Sequence, residues 1–298
     1  MEVTSLHALQ QYLTSPDVVE VMVVNGSDVW TERKSGVVHE GSVTASELAY
    51  IVEGICRLSG RRVDALSPIL DAQLPDGSRA CVVLPPVALR GISINIRKFP
   101  VRTLPVAAFA SEAVCDQVRQ LVIKHANVVV SGATSTGKTS LISAATEWFH
   151  PHERVVCVED TAEIRCRYPH VVHLQTRPAN QEGKGLISIH SLVSTSLRMR
   201  PDRLIVGEVR GSEVVDMLLA LSSGHTGSWT TVHAASAHHT VPRLASLLMR
   251  HHPQWNLSAA NELVVSAIDA VIHLERLPSG QRMITNILML KNNSHHIQ

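Results

Sequence analysis

Val128-Val129-Val130-Ser131-Gly132-Ala133-Thr134-Ser135-Thr136-Gly137-Lys138-Thr139-Ser140 decides how the rest of the chain is read. A β-branched run suits a strand covered on both faces. Gly132 and Gly137 then permit a turn tight enough for backbone N–H groups to converge on phosphate oxygens. In a Gly-x4-Gly-Lys-Thr loop the lysine, here Lys138, reaches the β- and γ-phosphates. The threonine hydroxyl, here Thr139, ligates Mg²⁺. Ala133, Thr134, Ser135 and Thr136 supply the loop's interior amides, and Ser140 lies on the helix that follows, whose N-terminal dipole favours an anion. The stretch therefore points to a nucleoside triphosphate with Mg²⁺ and leaves open what the triphosphate drives. The bland alternative is a Gly-rich strand–helix turn with a solvated lysine.

Downstream, strands are expected at 155–158, 171–174, 204–206, 228–232 and 270–274, with helices near 188–199, 212–221 and 238–250. Strands separated by helical segments indicate a mostly parallel sheet with helices on both faces. Upstream of the loop, Ser111 is expected to cap a helix carrying Val114, Val118, Leu121 and Val122 on its inner face. The first hundred residues read differently. Val18–Val24 and Asp28–Arg33 flank Asn25-Gly26, a hairpin signal. Thr44-Ala45-Ser46-Glu47 is a capping box opening a helix that Gly60 ends. Ile69–Leu74 and Ser78–Leu84 flank Pro75-Asp76-Gly77, and Ile92–Arg97 alternates as a half-buried strand does. The expected organisation is a small α+β domain over 1–98, a linker over 99–110 stiffened by Pro100 and Pro105, and a RecA-like P-loop domain over 111–298.

Composition narrows the function classes. The chain has 298 residues, 45% of them hydrophobic, and its 27 Lys and Arg against 26 Asp and Glu leave a net charge of +1. That balance lacks the basic footprint of a general nucleic-acid binder, and with 3% aromatics stacking platforms are scarce. No nucleic-acid partner is expected. Five scattered cysteines without a CxxC pair suit reduced thiols in the cytoplasm. Met1-Glu2-Val3-Thr4 shows no leader pattern, and no apolar run approaches the ~20 residues of a membrane span, so any membrane role is expected to be peripheral. Cys157, Cys166, His170 and His173 match no common zinc spacing.

Phosphoryl transfer also needs a metal held at the phosphates and a group that orients water. Val156-Cys157-Val158-Glu159-Asp160-Thr161-Ala162-Glu163 puts carboxylates at the end of a buried strand, where open α/β sheets bind ligands. Leu204-Ile205-Val206-Gly207-Glu208-Val209-Arg210-Gly211 ends a second strand with Glu208, and Gly224-His225-Thr226-Gly227-Ser228…His233 places a histidine at the end of a third.

In this order the four motifs resemble the Walker A, aspartate box, Walker B and histidine box of the type II/type IV secretion ATPases. The likeness is closest to the tight-adherence (Flp-type) pilus ATPases, through Leu74–Arg79, Ile94–Phe99, Glu182–Gly185 and Leu197–Arg203. The resemblance implies a homohexameric ATPase that powers pilus assembly or secretion at the cytoplasmic face of the membrane, with an inner-membrane platform protein as partner. It also implies that Glu163 and Glu208 divide the tasks of polarising water and coordinating Mg²⁺, and that His233 reads the γ-phosphate. Arg79 and Arg97 match basic residues that close on the phosphates from the N-terminal domain. Arg198 and Arg210 match family positions too. Ala235 stands where the family usually carries Asn, and there is no tetracysteine insert. Two rival readings are a DNA-directed P-loop translocase and a module that binds ATP without hydrolysing it.

Overall fold

The computed structural model describes residues 6–33, 35–98, 104–166, 169–179 and 183–291. Part of the expected linker (99–103), Glu182 and the tail after Lys291 lie outside the described residues. The chain divides into two compact units, Met1–Arg102 and Thr103–Gln298.

The first unit contains helix α1 (Gln10–Thr14), strands β1 (Val18–Val24), β2 (Asp28–Arg33) and β3 (Gly36–Ser42), helix α2 (Ala45–Ser59), and strands β4 (Ile69–Gln73), β5 (Arg79–Val83) and β6 (Ser93–Arg97). The strands form one antiparallel sheet in the order β3-β2-β1-β6-β5-β4. Asn25 and Gly26 take φ of 56° and 78°, the two positive values that a tight two-residue hairpin turn requires. Helix α2 starts on the expected box: Glu47 N donates to Thr44 Oγ1 at 3.3 Å and Thr44 N donates to Glu47 Oε2 at 2.8 Å. Gly60, at φ 65°, ends it. The apolar face of α2 (Leu48, Ile51, Ile55) packs with Val21, Val82, Ile94 and Ile96 from the sheet. Strand β3 departs from the reading above, which placed nothing there. Its first four residues are exposed, so it carries no apolar alternation to betray it.

The second unit runs α3 (Glu112–Ile123), β7 (Val128–Gly132), α4 (Lys138–Ala145), β8 (Val155–Glu159), β9 (Val171–Gln175), α5 (Ile189–Ser196), β10 (Arg203–Val206), α6 (Glu213–Ser222), β11 (Trp229–Val232), α7 (Ala237–His251), α8 (Leu257–Ala267), β12 (Ala270–Arg276) and β13 (Arg282–Met289). The sheet order is β13-β12-β7-β11-β10-β8-β9, with β13 antiparallel to β12 and every other pair parallel. The fold is therefore mixed α/β, an antiparallel sheet followed by a mostly parallel, RecA-like one.

Alternation along β7 divides its side chains between two cores. Val128 and Val130 join the core built with α3 and α4, while Val129 joins the one built with α5 to α8. Ser111 stands at the N-cap of α3 as expected, but its side chain accepts no capping hydrogen bond. Helix α8 and strand β13 were not foreseen. Asn256 caps α8 by accepting from Ala259 N at 2.9 Å, a start signal that the sequence does carry. Among the described residues no helix is long and apolar enough to cross a membrane.

Candidate active site

Strand β7 lies between β12 and β11, so its carboxyl end opens at the middle of the sheet. Gly132 is compulsory there. Its φ is +149°, and a Cβ would fall 2.4 Å from the carbonyl oxygen of Leu274 on β12. Gly137, at φ +92°, starts α4, and a Cβ on it would meet Phe109 and Arg282, each at 3.0 Å. Ala133, Thr134 and Ser135 form the exposed tip of the loop, with Ser135 at φ 62°. Thr136 Oγ1 closes the loop by donating to Ala133 O at 2.9 Å. Beneath it, Ser131 Oγ and His273 Nδ1 lie 2.9 Å apart and tie β7 to β12. Thr139 and Ser140 occupy the first turn of α4, half-buried.

Lys138 is 7% exposed, and its Nζ donates to Gly132 O at 3.1 Å and Ala133 O at 2.8 Å. The same ammonium stands 3.3 Å from His233 Nδ1. Since Nζ can only donate, Nδ1 accepts and the imidazole proton resides on Nε2. Nε2 in turn lies 3.1 Å from Glu208 Oε1. Burial and the Lys138 charge lower the His233 pKa against the pull of Glu208, so the ring is neutral at neutral pH. Burial likewise lowers the Lys138 pKa, with Glu208 and Glu163 opposing and Arg210 assisting. Arg210 donates to Glu208 Oε2 at 2.6 Å. The other oxygen, Oε1, is buried, and no donor meets it in hydrogen-bonding geometry among the described residues.

Glu208 lies two residues beyond β10. Its turn is fastened to β11 by Thr231, whose Oγ1 donates to Gly207 O at 2.7 Å and whose carbonyl accepts from Val209 N at 2.9 Å. Glu163 sits exposed on the segment after β8. The residue that positions it went unassigned in the sequence reading: Glu159, 2% exposed, accepts from Glu163 N and Ile164 N at 2.9 Å each through Oε1. Burial raises the Glu159 pKa to about 7, against the two amides that lower it. A carboxylate beside two others resembles a third ligand in sequence, and only its burial reveals the tethering role.

The histidine motif divides. His225 precedes the amino end of β11 and His233 follows its carboxyl end, so His233 alone reaches the loop. Arg79 and Arg97 belong to the first unit, where they are cross-strand neighbours on β5 and β6. Both are exposed, and Arg79 forms a two-pronged pair with Asp71 at 3.0 and 2.5 Å. Arg198 lies in a short 3-10 turn at Leu197–Met199. Among the described residues no three His, Cys, Asp or Glu side chains gather as an all-protein metal cluster.

The donor set still fits a phosphate-bound Mg²⁺, which typically takes one or two protein oxygens and completes its shell with phosphate and water. Glu208 Oε1 is a buried carboxylate oxygen that no donor meets in hydrogen-bonding geometry, and Thr139 supplies a hydroxyl on the first turn of α4.

A Mycobacterium tuberculosis protein that carries a conjugal-transfer name is 34% identical over 310 residues, covering 100% of this chain and 88% of that one. The VirB11 ATPase of the Brucella suis type IV secretion system, solved with sulphate, is 26% identical with a TM-score of 0.53, covering 96% of this chain and 95% of that one. The Legionella pneumophila ATPase DotB shares the fold, with a TM-score of 0.69 at 17% identity over 98% of this chain and 82% of that one. The profile of the type II/IV secretion system protein family matches residues 2–292, and the chain belongs to that family.

Proposed function

We propose that the chain is an ATP-hydrolysing motor of a secretion or pilus-assembly machine. It works as a homohexamer at the cytoplasmic face of the membrane against an inner-membrane platform protein. One observation carries this reading: Lys138, His233 and Glu208 meet behind a glycine loop whose tip, Ala133 to Ser135, is exposed. The loop Gly132–Ser140 binds the phosphates, and Lys138 exchanges its two loop carbonyls for phosphate oxygens. His233, neutral with its proton on Nε2, monitors the γ-phosphate side through its contacts with Lys138 and Glu208. Thr139 and Glu208 would hold Mg²⁺, which when bound offsets the negative charge of the transferring phosphoryl group. Glu163, held by Glu159, shares with Glu208 the orientation of the attacking water. Arg79 and Arg97 are assigned to the phosphates by the family likeness.

ATP turnover of Lys138→Ala and Arg79→Ala tests the reading. Lys138→Ala is expected to lower turnover by about 10²–10³-fold, as removal of a transition-state charge contact does. Arg79→Ala is expected to lower kcat with ATP binding retained; an intact kcat would remove the arginines from the reading. Light scattering with and without a non-hydrolysable ATP analogue tests assembly, and a monomer under both conditions would defeat the motor.

A further inference from the structure

Cys157 and Cys166 take no part in the phosphate chemistry, yet they bracket the segment that carries Glu163. Cys157 is fully buried on β8, where β10 and β9 hold it on both sides. Cys166 is half-buried and lies outside any strand or helix. Their sulfurs are 3.7 Å apart. Cys56 and Cys81 lie in the first unit and Cys115 on α3.

The segment between the two is a strap with named fastenings. Glu159 Oε1 holds the amides of Glu163 and Ile164, the Ile164 side chain is 3% exposed, and Arg165 N donates to Ser143 Oγ on α4 at 3.1 Å. One end is therefore fixed to β8 and the other to the phosphate-loop helix. Cys166 follows directly.

We propose that Cys157 and Cys166 form an oxidation site for hydroperoxides, whose disulfide displaces Glu163 and suppresses turnover. The Cys166 thiolate attacks a peroxide oxygen, the O–O bond breaks, and the departing oxygen takes up a proton to leave as water or an alcohol. Cys166 is then a sulfenic acid. The Cys157 sulfur attacks it, the S–O bond breaks, and a second water leaves with the last thiol proton. Two thiols have given two electrons to the peroxide, and an S–S bond has formed.

The division of roles follows from the surroundings. Cys166 is the less buried of the two residues, and the hydrogen bond from the Cys157 thiol lowers its pKa from the ordinary thiol value despite burial. The same contact, with burial, pushes the Cys157 thiol well up. To reach bonding distance one sulfur must travel. Cys157 is locked in the sheet, so the movement falls on Cys166 and the strap. Displacement of a catalytic group by about 1 Å costs on the order of 10²-fold in rate. This coupling to turnover rests on the ATPase reading, whereas formation of the disulfide does not.

The test uses hydrogen peroxide on the full-length Cys56→Ser/Cys81→Ser/Cys115→Ser protein and on the same protein with Cys166→Ser added. Peptide mapping under non-reducing conditions is expected to show one cross-link joining Cys157 to Cys166 within a chain. Turnover is expected to fall by about 10²-fold and to recover with dithiothreitol. The Cys166→Ser protein should keep both its Cys157 thiol and its turnover. Oxidation of Cys166 to sulfinic acid without a cross-link would overturn the site. A complete cross-link with unchanged turnover would overturn its coupling to Glu163. Should the untreated protein turn over no ATP, the ATPase reading fails, and the peptide map still decides the dithiol.

Discussion

The parallel sheet carries a charge cluster at each end, and the two are built on opposite terms. At the amino end, Arg203 is 2% exposed, and its Nε and a terminal nitrogen donate to the two oxygens of Glu153 at 2.6 and 2.9 Å. It donates further to Val122 O at 3.0 Å and lies 4.3 Å over the Phe149 ring, while His125 Nε2 stands 3.0 Å from Glu153. Gly227 makes room for it, because a Cβ there would fall 2.9 Å from the guanidinium. At the carboxyl end, Lys138 leans on loop carbonyls, His233 is shared between a lysine and a carboxylate, and Glu208 Oε1 faces His233 Nε2 at 3.1 Å outside hydrogen-bonding geometry. Buried charge that is fully partnered has no spare capacity, whereas a carboxylate oxygen without a well-formed hydrogen bond beside a phosphate loop has capacity to bind. The first cluster holds the fold and the second is left open for a ligand.

The largest expected effect comes from Arg203→Ala, which strands Glu153 in the interior. A loss of about 3–5 kcal/mol in denaturant-measured stability is expected. A loss below about 1 kcal/mol would break the distinction between the two ends.

Acid should produce the next largest change. Burial pushes the Glu153 pKa up, but the Arg203 hydrogen bonds and charge, with the His150 amide and His125, bring it below the ordinary value of 4.5. A group with a depressed native pKa contributes stability that is complete above its unfolded pKa and fades as pH falls through the native one. The stability advantage of the native protein over Glu153→Gln should therefore hold at neutral pH and shrink below about pH 4.5 in unfolding curves. An advantage that grew with acid would contradict the pairing.

The smallest stability change is expected from Glu208→Gln. Without nucleotide it should shift stability by less than about 1 kcal/mol, because the amide keeps the carboxylate's shape and the charge partner it weakens, Arg210, is exposed. A loss of several kcal/mol would show that this carboxylate is also structural.

Legibility in the sequence followed distance along the chain. The loop, the capping box at Thr44 and the Asn25-Gly26 turn are local signals, each complete within a few residues, and all three are found where they were read. The Arg203–Glu153 cluster joins residues 50 apart and left no trace in any local pattern. Thr231 holding the Glu208 turn escaped for the same reason, at a separation of 24. Glu159 stood in plain view inside a quoted motif. Its role depends on being buried beside Gly207, where a Cβ would come within 2.8 Å of Glu159 Cγ, and composition does not encode that proximity.

The Ser131–His273 tie has a consequence for synthesis. These two residues are 142 apart in sequence, and both neighbours of β7 are made after it. At 5–20 residues per second, about 7–28 seconds separate translation of the loop from translation of the strand that shapes it. Over that interval the nascent chain carries the letters of a phosphate site without its walls. Ribosome-bound chains ending before Ala270 should therefore not retain ATP, however completely their first unit has folded.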